Sequence, residues 1–223
     1  MAIKIIIAVL LLTVLIDYTI KFVKHKSLYP FMPFKYNFRR RRVTFAKTLK
    51  LLKERQAKTI LETGTSREGL KNTKGDGGAT IVFGKWAQQN SANLHSVDIS
   101  EESVKGSQDA VNEQGLNDTV TIHLNDSLEF LKTFNQNVDF LYLDSYDYSK
   151  TDKDVQLKSQ EHHLKEFKTI ENKLHKNSIV LIDDCGLPGG GKGKTVIEYM
   201  LKKKWEILID AYQVLLVKKE SLS

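Results

Sequence analysis

Carboxylates recur where apolar runs end: Glu62 in "TILET", Asp98 after "NLHSV", Asp126 after "TVTIHLN", Asp144 after "VDFLYL", and Asp183–Asp184 after "SIVLI". Any one of them has a structural reading, since Asp is common in turns and at helix N-caps. Acids that end successive strands of one sheet would instead line an acidic crevice. Such a crevice repels a pyrophosphate, which wants bare N–H groups, and suits a ligand with a cationic centre, a ribose and an amino group. Asp144, Asp183 and Asp184 together offer oxygen ligands to a small hard cation such as Mg²⁺. An ion of that kind lowers the pKa of a hydroxyl that it holds. General-base candidates are Asp147, Lys150, His162 and His163, of which the histidines titrate near working pH. Adjacent residues on a helix point about 100° apart, so at most one of the two histidines faces a site; either could be an ordinary surface or core residue.

The stretch "GLPGGGKGKT", residues 186–195, resembles a phosphate-binding loop but misses its spacing of G-x-x-x-x-G-K-[ST]. Counting back from Gly193-Lys194-Thr195, the first glycine position holds Pro188; counting from Gly186, Lys192 is followed by Gly193. Its place directly after Asp183–Asp184 predicts a substrate lid, with Lys192 and Lys194 meeting an anionic substrate or keeping the loop soluble.

Strand-like and helix-like runs alternate from about residue 43, which predicts a mostly parallel sheet covered by helices. Strands are expected at 59–63, 93–97, 119–124, 138–143 and 178–182, and helices at 43–56, 79–89, 101–114, 127–134 and 196–203. A long helix precedes the fifth strand, with Leu157, Leu164, Phe167, Ile170 and Leu174 on its buried face. "WEILIDAYQVLLVKK" predicts an antiparallel hairpin. The fold class is therefore a doubly wound, Rossmann-like α/β sheet of seven strands, with ligands expected outside the carboxyl ends of the strands.

Charge is unevenly placed. Residues 1–58 carry 14 Lys/Arg against Asp17 and Glu54, a net +12, and the remainder carries 20 basic and 25 acidic residues, a net −5. The basic pI thus belongs to the N-terminal segment, and the body gives no compositional sign of nucleic-acid binding. Ile5–Ile16, "IIIAVLLLTVLI", predicts a membrane helix over residues 1–24, with Lys4, Asp17 and Lys21 interrupting its ends. No small-residue cleavage site follows it, and the basic flank predicts an uncleaved anchor with the body on the cytoplasmic side. Residues 25–42 are expected to be a basic juxtamembrane linker, its prolines at 30 and 33 and its arginines Arg39–Arg42 in contact with anionic lipid. The catalytic domain is expected over 43–223. The single cysteine, Cys185, excludes an internal disulfide.

In their order and spacing, "ILETGTS", "HSVDIS", "LNDSLEFL", "VDFLYLDSYDY" and the closing hairpin resemble the class I S-adenosylmethionine-dependent methyltransferases over roughly residues 44–218. The resemblance implies that Glu62, Gly64, Thr65 and Ser66 line the methionine part of the cofactor, that Asp98 holds the ribose hydroxyls, that Asp126 and Ser127 lie beside the adenine, and that Asp144 borders the cofactor. The stretch "REGLKNTKGD", residues 67–76, departs from the family pattern as an apparent insertion. Within the superfamily, Asp144 with Asp183–Asp184 is similar to the metal site of the cation-dependent O-methyltransferases, typified by the catechol and macrolide-sugar enzymes. The function implied is metal-assisted O-methylation of a small hydroxylated metabolite or sugar. The alternatives are a metal-independent methyltransferase and an inactive, membrane-tethered binding module.

Overall fold

The computed structural model describes residues 2–25 and 36–219. The expected linker prolines at 30 and 33 lie outside the described residues. Helix α1 (Ala2–His25) is followed, from Tyr36 onward, by α2 (Arg42–Glu54), β1 (Thr59–Thr63), α3 (Ala79–Asn90), β2 (Asn93–Asp98), α4 (Glu101–Glu113), β3 (Val120–Leu124), α5 (Ser127–Thr133), β4 (Val138–Leu143), α6 (Lys153–Ile170), β5 (Leu174–Ile182), α7 (Lys194–Lys202), β6 (Trp205–Asp210) and β7 (Val214–Lys218). The strands form one sheet in the order β3-β2-β1-β4-β5-β7-β6. β1 to β5 pair in parallel, and β7 runs antiparallel to both β5 and β6. The strand order reverses between β1 and β4, so the ligand crevice of such a sheet opens above those two strands.

Strand alternation assigns the two faces. Phe140, Tyr142, Ile179, Leu181, Leu215 and Val217 join Phe45, Phe83 and Val111 from α2, α3 and α4. Leu141, Leu143, Val180, Ile182, Val214 and Leu216 pack on Leu131, Phe167, Ile170, Val196 and Met200 from α5, α6 and α7. On the first face Phe83 meets Phe140, Phe45 and Tyr142 at centroid distances of 4.7, 5.3 and 5.6 Å in edge or tilted geometry. Such aromatic pairs add about 0.5–1.5 kcal/mol each beyond the burial of their area. Two layers of helix around the sheet thus fix the strand ends to which the acids belong.

Three sequence expectations change. β5 begins at Leu174, which pairs with Val138 ahead of a register shift, so Leu174 is a strand residue and not part of the preceding helix. Leu157 is exposed, and Phe167 and Ile170 carry the buried face of α6. The ordered domain already includes Phe38, which is buried against Phe45, so the segment from Tyr36 is part of the fold and not a linker.

Among the described residues no helix is long and apolar enough to cross a membrane. Lys4 and Asp17 bracket an uncharged run of only 12 residues in α1, and at about 1.5 Å per residue such a run falls well short of the roughly 30 Å hydrocarbon core. The expectation of a spanning helix is therefore not supported, although Ile5, Leu10, Leu11 and Leu15 on that helix are all exposed.

Candidate active site

The loop after β1 is built around Gly64. Its φ is +81°, and a Cβ there would lie 2.5 Å from the carbonyl oxygen of Asp144 and 2.7 Å from Ser145 Cα, so only glycine lets β1 and β4 deliver their ends this close together. Thr80 Oγ1 donates to Glu62 Oε2 at 2.7 Å and accepts from the Ser66 N–H at 2.9 Å, while Ser66 Oγ accepts from the Thr80 N–H at 3.2 Å. Thr65 Oγ1 donates to Ser107 Oγ at 2.6 Å. Glu62 is wholly buried beneath this loop, and burial pushes its carboxyl up to about 8, with partial relief from the hydroxyl donors. It therefore holds the loop onto α3 and lines neither of the cavities above, which corrects its assignment as a cofactor contact. Gly64, Thr65 and Ser66 do border the crevice. Residues 67–78 fold into turns, and the carbonyl of Gly75 there accepts from Arg41 at 3.3 Å.

A cavity of about 660 Å³ lies above β1, β2 and β3, lined by Gly64, Asp98, Ile99, Asp126, Ser127 and His162 among others. Asp98 accepts from the Thr65 N–H at 3.1 Å and the Ser100 N–H at 2.9 Å, which clamps its carboxylate at the end of β2. Beside it Ile99 is 71% exposed, an apolar side chain offered to the cavity rather than to the core. Asp126 caps α5 through one oxygen, accepting from the Leu128 and Glu129 N–H groups at 2.9 and 3.1 Å. Ser145 Oγ is buried without a partner and lines the junction with a smaller cavity of about 120 Å³, which Asp144 and Lys192 also line. A clamped carboxylate, an apolar flank and an unpaired hydroxyl suit a nucleoside with its ribose on Asp98 and its base against Ile99. Adenosylmethionine fits this donor set.

The expected metal ligands are arranged otherwise. Lys192 Nζ lies 2.6 Å from Asp144 Oδ1 and 3.5 Å from Asp184 Oδ2. Arg41 grips Asp183 through Nε at 2.8 Å and a terminal nitrogen at 2.7 Å, and stands 3.6 Å from Asp184. The Tyr212 hydroxyl donates to Asp184 as well. The three carboxylates are already in contact with an ammonium and a guanidinium, and among the described residues no acidic or histidine cluster could hold a metal ion. The donors thus do not fit Mg²⁺ or another divalent cation, which corrects the metal assignment of Asp144, Asp183 and Asp184.

Burial opposes charge throughout this cluster, and for Asp183 and Lys192 the ion pairs decide the outcome. The Arg41 guanidinium holds the buried Asp183 carboxyl below its usual range, and Asp144, Asp184 and Asp183 keep Lys192 protonated although it is only 3% exposed. Asp144 moves the other way: burial raises its pKa well above the usual range, and Lys192 offsets only part of the rise. Of the two acids whose pKa is displaced, Asp144 is thus the one raised and Asp183 the one lowered.

His162 and His163 separate as the helix geometry requires. His162 lines the larger cavity, 3.1 Å from Ser127 Oγ and 3.2 Å from Glu166 Oε1, and although burial works against its charge, Glu166 raises its pKa. His163 is buried, bonded through Nδ1 to the Ser159 carbonyl at 2.7 Å, and burial pushes it down to about 4. It faces neither cavity and is no base for the reaction. Asp147 lies at the junction of the two cavities in an exposed pair with Arg67 at 3.5 Å, and Lys150 lines a third cavity.

The glycine loop is tied down. Tyr148 donates to the Pro188 carbonyl at 2.6 Å, and Gln160 to the carbonyls of Gly189 and Gly191 at 3.2 and 3.0 Å. At Gly191 the φ is +59°, and a Cβ would run into the Asp184 carbonyl. Lys192 is therefore an internal cation and only Lys194 is exposed, which corrects the lid reading. Arg41 and Tyr212 are site residues that the sequence reading missed: "RRRR" looked like lipid-facing charge, and the hairpin loop had no acid to draw notice. Arg41 is also buried, so of the arginines assigned to lipid it is not one.

The family model described as "Methyltransferase domain" matches residues 74–185. Among curated proteins none matches the chain. Among solved structures, the S-adenosylhomocysteine-bound methyltransferase PaMTH1 of Podospora anserina superposes with a TM-score of 0.60 at 16% identity, over 89% of this chain and 87% of that one. An O-methyltransferase of Bacillus cereus in complex with S-adenosylhomocysteine gives 0.55 at 12% identity, over 90% and 88%. The O-methyltransferase TomG of Streptomyces achromogenes, involved in tomaymycin synthesis and bound to S-adenosylmethionine, gives 0.53 at 16%, over 78% and 79%. At these identities the likeness is one of fold.

Proposed function

This chain belongs to the methyltransferase-domain family, and on that premise we propose that it transfers a methyl group from S-adenosylmethionine to the oxygen of a small hydroxylated acceptor without a divalent cation. The observation that carries the reading is the Asp144–Lys192 pair in the small cavity that adjoins the nucleoside-sized one at Gly64, Asp98 and Ser145. O-methyltransferases among the structures of like fold support oxygen as the acceptor atom.

S-adenosylmethionine, when bound, supplies an electrophilic methyl group on a sulfonium. Asp98 receives the ribose hydroxyls, Ile99 flanks the base, and Asp126 and Ser127 stand beside it. Asp144 is fixed through one oxygen by Lys192; its other oxygen has only the Tyr142 hydroxyl, at 3.4 Å, and is open to take the acceptor's proton. Its raised pKa suits that task, because a base works best near the operating pH. Lys192 stays protonated and supplies fixed positive charge to the oxygen as negative charge develops there. Arg41 pairs with Asp183 and stands 3.6 Å from Asp184, which offsets negative charge that would otherwise oppose deprotonation of the acceptor.

The same reading places α1 in a membrane interface with the domain on the cytoplasmic side, supported by its exposed isoleucines and leucines and by the lysines that follow.

The test is transfer of tritiated methyl from S-adenosylmethionine by the full chain to a panel of hydroxylated small molecules, in EDTA and in Mg²⁺. Equal labelling under both conditions is expected. Labelling that requires Mg²⁺ would overturn the cation-free site.

A further inference from the structure

A cavity of about 380 Å³ adjoins the reacting end, and its walls are unusually basic: Arg39, Arg40, Lys74 and Lys150 line it together with Arg41 and a single acid, Asp184. Asp184 is already engaged by Arg41, Lys192 and Tyr212. Among the described residues Arg39, Arg40, Lys74 and Lys150 form no ion pair. The cavity shares Arg41, Gly75 and Asp184 with the small cavity that Asp144 and Lys192 line, so the two adjoin.

Like charges gathered without counter-charge repel, and a concave basic wall concentrates anions. The arrangement is also braced. The Tyr212 ring lies 5.5 Å from the Arg40 guanidinium and 5.0 Å from that of Arg41, which orients both. Arg39 has a φ of +45°, a left-handed conformation uncommon for a side chain with a Cβ and one that clusters at functional sites. Arginine forks match the paired oxygens of phosphate.

We propose that the methyl acceptor is a phosphorylated hydroxyl compound whose phosphate sits among Arg39, Arg40, Lys74 and Lys150 while its hydroxyl faces Asp144. This rests on the methyltransferase reading above. The phosphate can be that of a soluble monoester or of a lipid headgroup, since both present the same oxyanion.

The experiment is calorimetric titration of the full chain with inorganic phosphate, for wild type and Arg40→Ala/Lys74→Ala, with S-adenosylhomocysteine titrated in parallel. Saturable phosphate binding is expected, weakened at least tenfold in the double variant, with S-adenosylhomocysteine affinity unchanged. Arg40 and Lys74 are exposed, so the variant keeps the fold. Vesicles with and without phosphatidic acid separate the sources: sedimentation that needs both phosphatidic acid and the two basic residues indicates a headgroup, and its absence beside intact phosphate binding indicates a soluble monoester. Phosphate binding that is absent, or equal in the variant, overturns the anion site while bound S-adenosylhomocysteine leaves the methyltransferase reading standing. Loss of S-adenosylhomocysteine binding in wild type, with phosphate still held by Arg40 and Lys74, overturns the acceptor assignment through the failure of that reading.

Discussion

Asp144→Asn is expected to lower turnover by about 10² to 10⁴, the range over which a positioned general base contributes, while the affinity for S-adenosylhomocysteine changes little. Asparagine keeps the shape and can still accept from Lys192, but it cannot take a proton. The pH profile separates loss of the base from loss of shape. Burial raises the pKa of Asp144, and the group must be deprotonated to act, so wild-type kcat should climb with pH as the carboxyl ionises. In Asp144→Asn that limb should flatten. A variant with near-normal turnover, or with the wild-type pH limb intact, would remove Asp144 from the proton transfer.

The second large effect is on stability. Arg41→Ala leaves Asp183, fully buried, without the guanidinium whose two nitrogens converge on its Oδ2. Removing one member of a buried pair costs about 3–5 kcal/mol, because the remaining charge stays desolvated. At roughly 2–4 °C per kcal/mol for a domain of this size, Tm should fall by about 10 °C. The double variant Arg41→Ala/Asp183→Ala should be less destabilised than the sum of the two single changes, since it leaves no unpaired charge. Strict additivity in thermal melts would show that the pair does not interact as described. Arg41→Lys should recover only part of the loss, because a single ammonium cannot hold Asp183 and the Gly75 carbonyl with the fixed planar geometry of the guanidinium.

Periodicity and strand-end acids carried much of the architecture. β1 and β4 have the bounds read from the sequence, and the closing hairpin lies where the two apolar runs predicted it. Asp98, Asp126 and Ser127 come together around one cavity because strand ends of a parallel sheet share one edge. What could not be read was the pairing of charges across long stretches of chain. Arg41 lies 142 residues from Asp183, and Lys192 lies 48 from Asp144. Three nearby acids in a sequence look like a metal site until the cations that fill the space between them are known. Glu62 shows the same limit at shorter range: its position matched a family motif, but whether its side chain points up to the crevice or down onto Thr80 is decided by the fold of the loop. Lys192 looked like lid charge because glycines surround it, and only the anchoring of that loop by Tyr148 and Gln160 turns it inward.

Cofactor binding is where the account is most directly exposed. Calorimetric titration of the full chain with S-adenosylhomocysteine, for wild type and Asp98→Ala, should give one saturable site in the wild type that weakens at least tenfold in the variant and does not depend on added Mg²⁺. No binding by the wild type, or equal binding by Asp98→Ala, would contradict the assignment of the cavity above β1, β2 and β3 as the cofactor site.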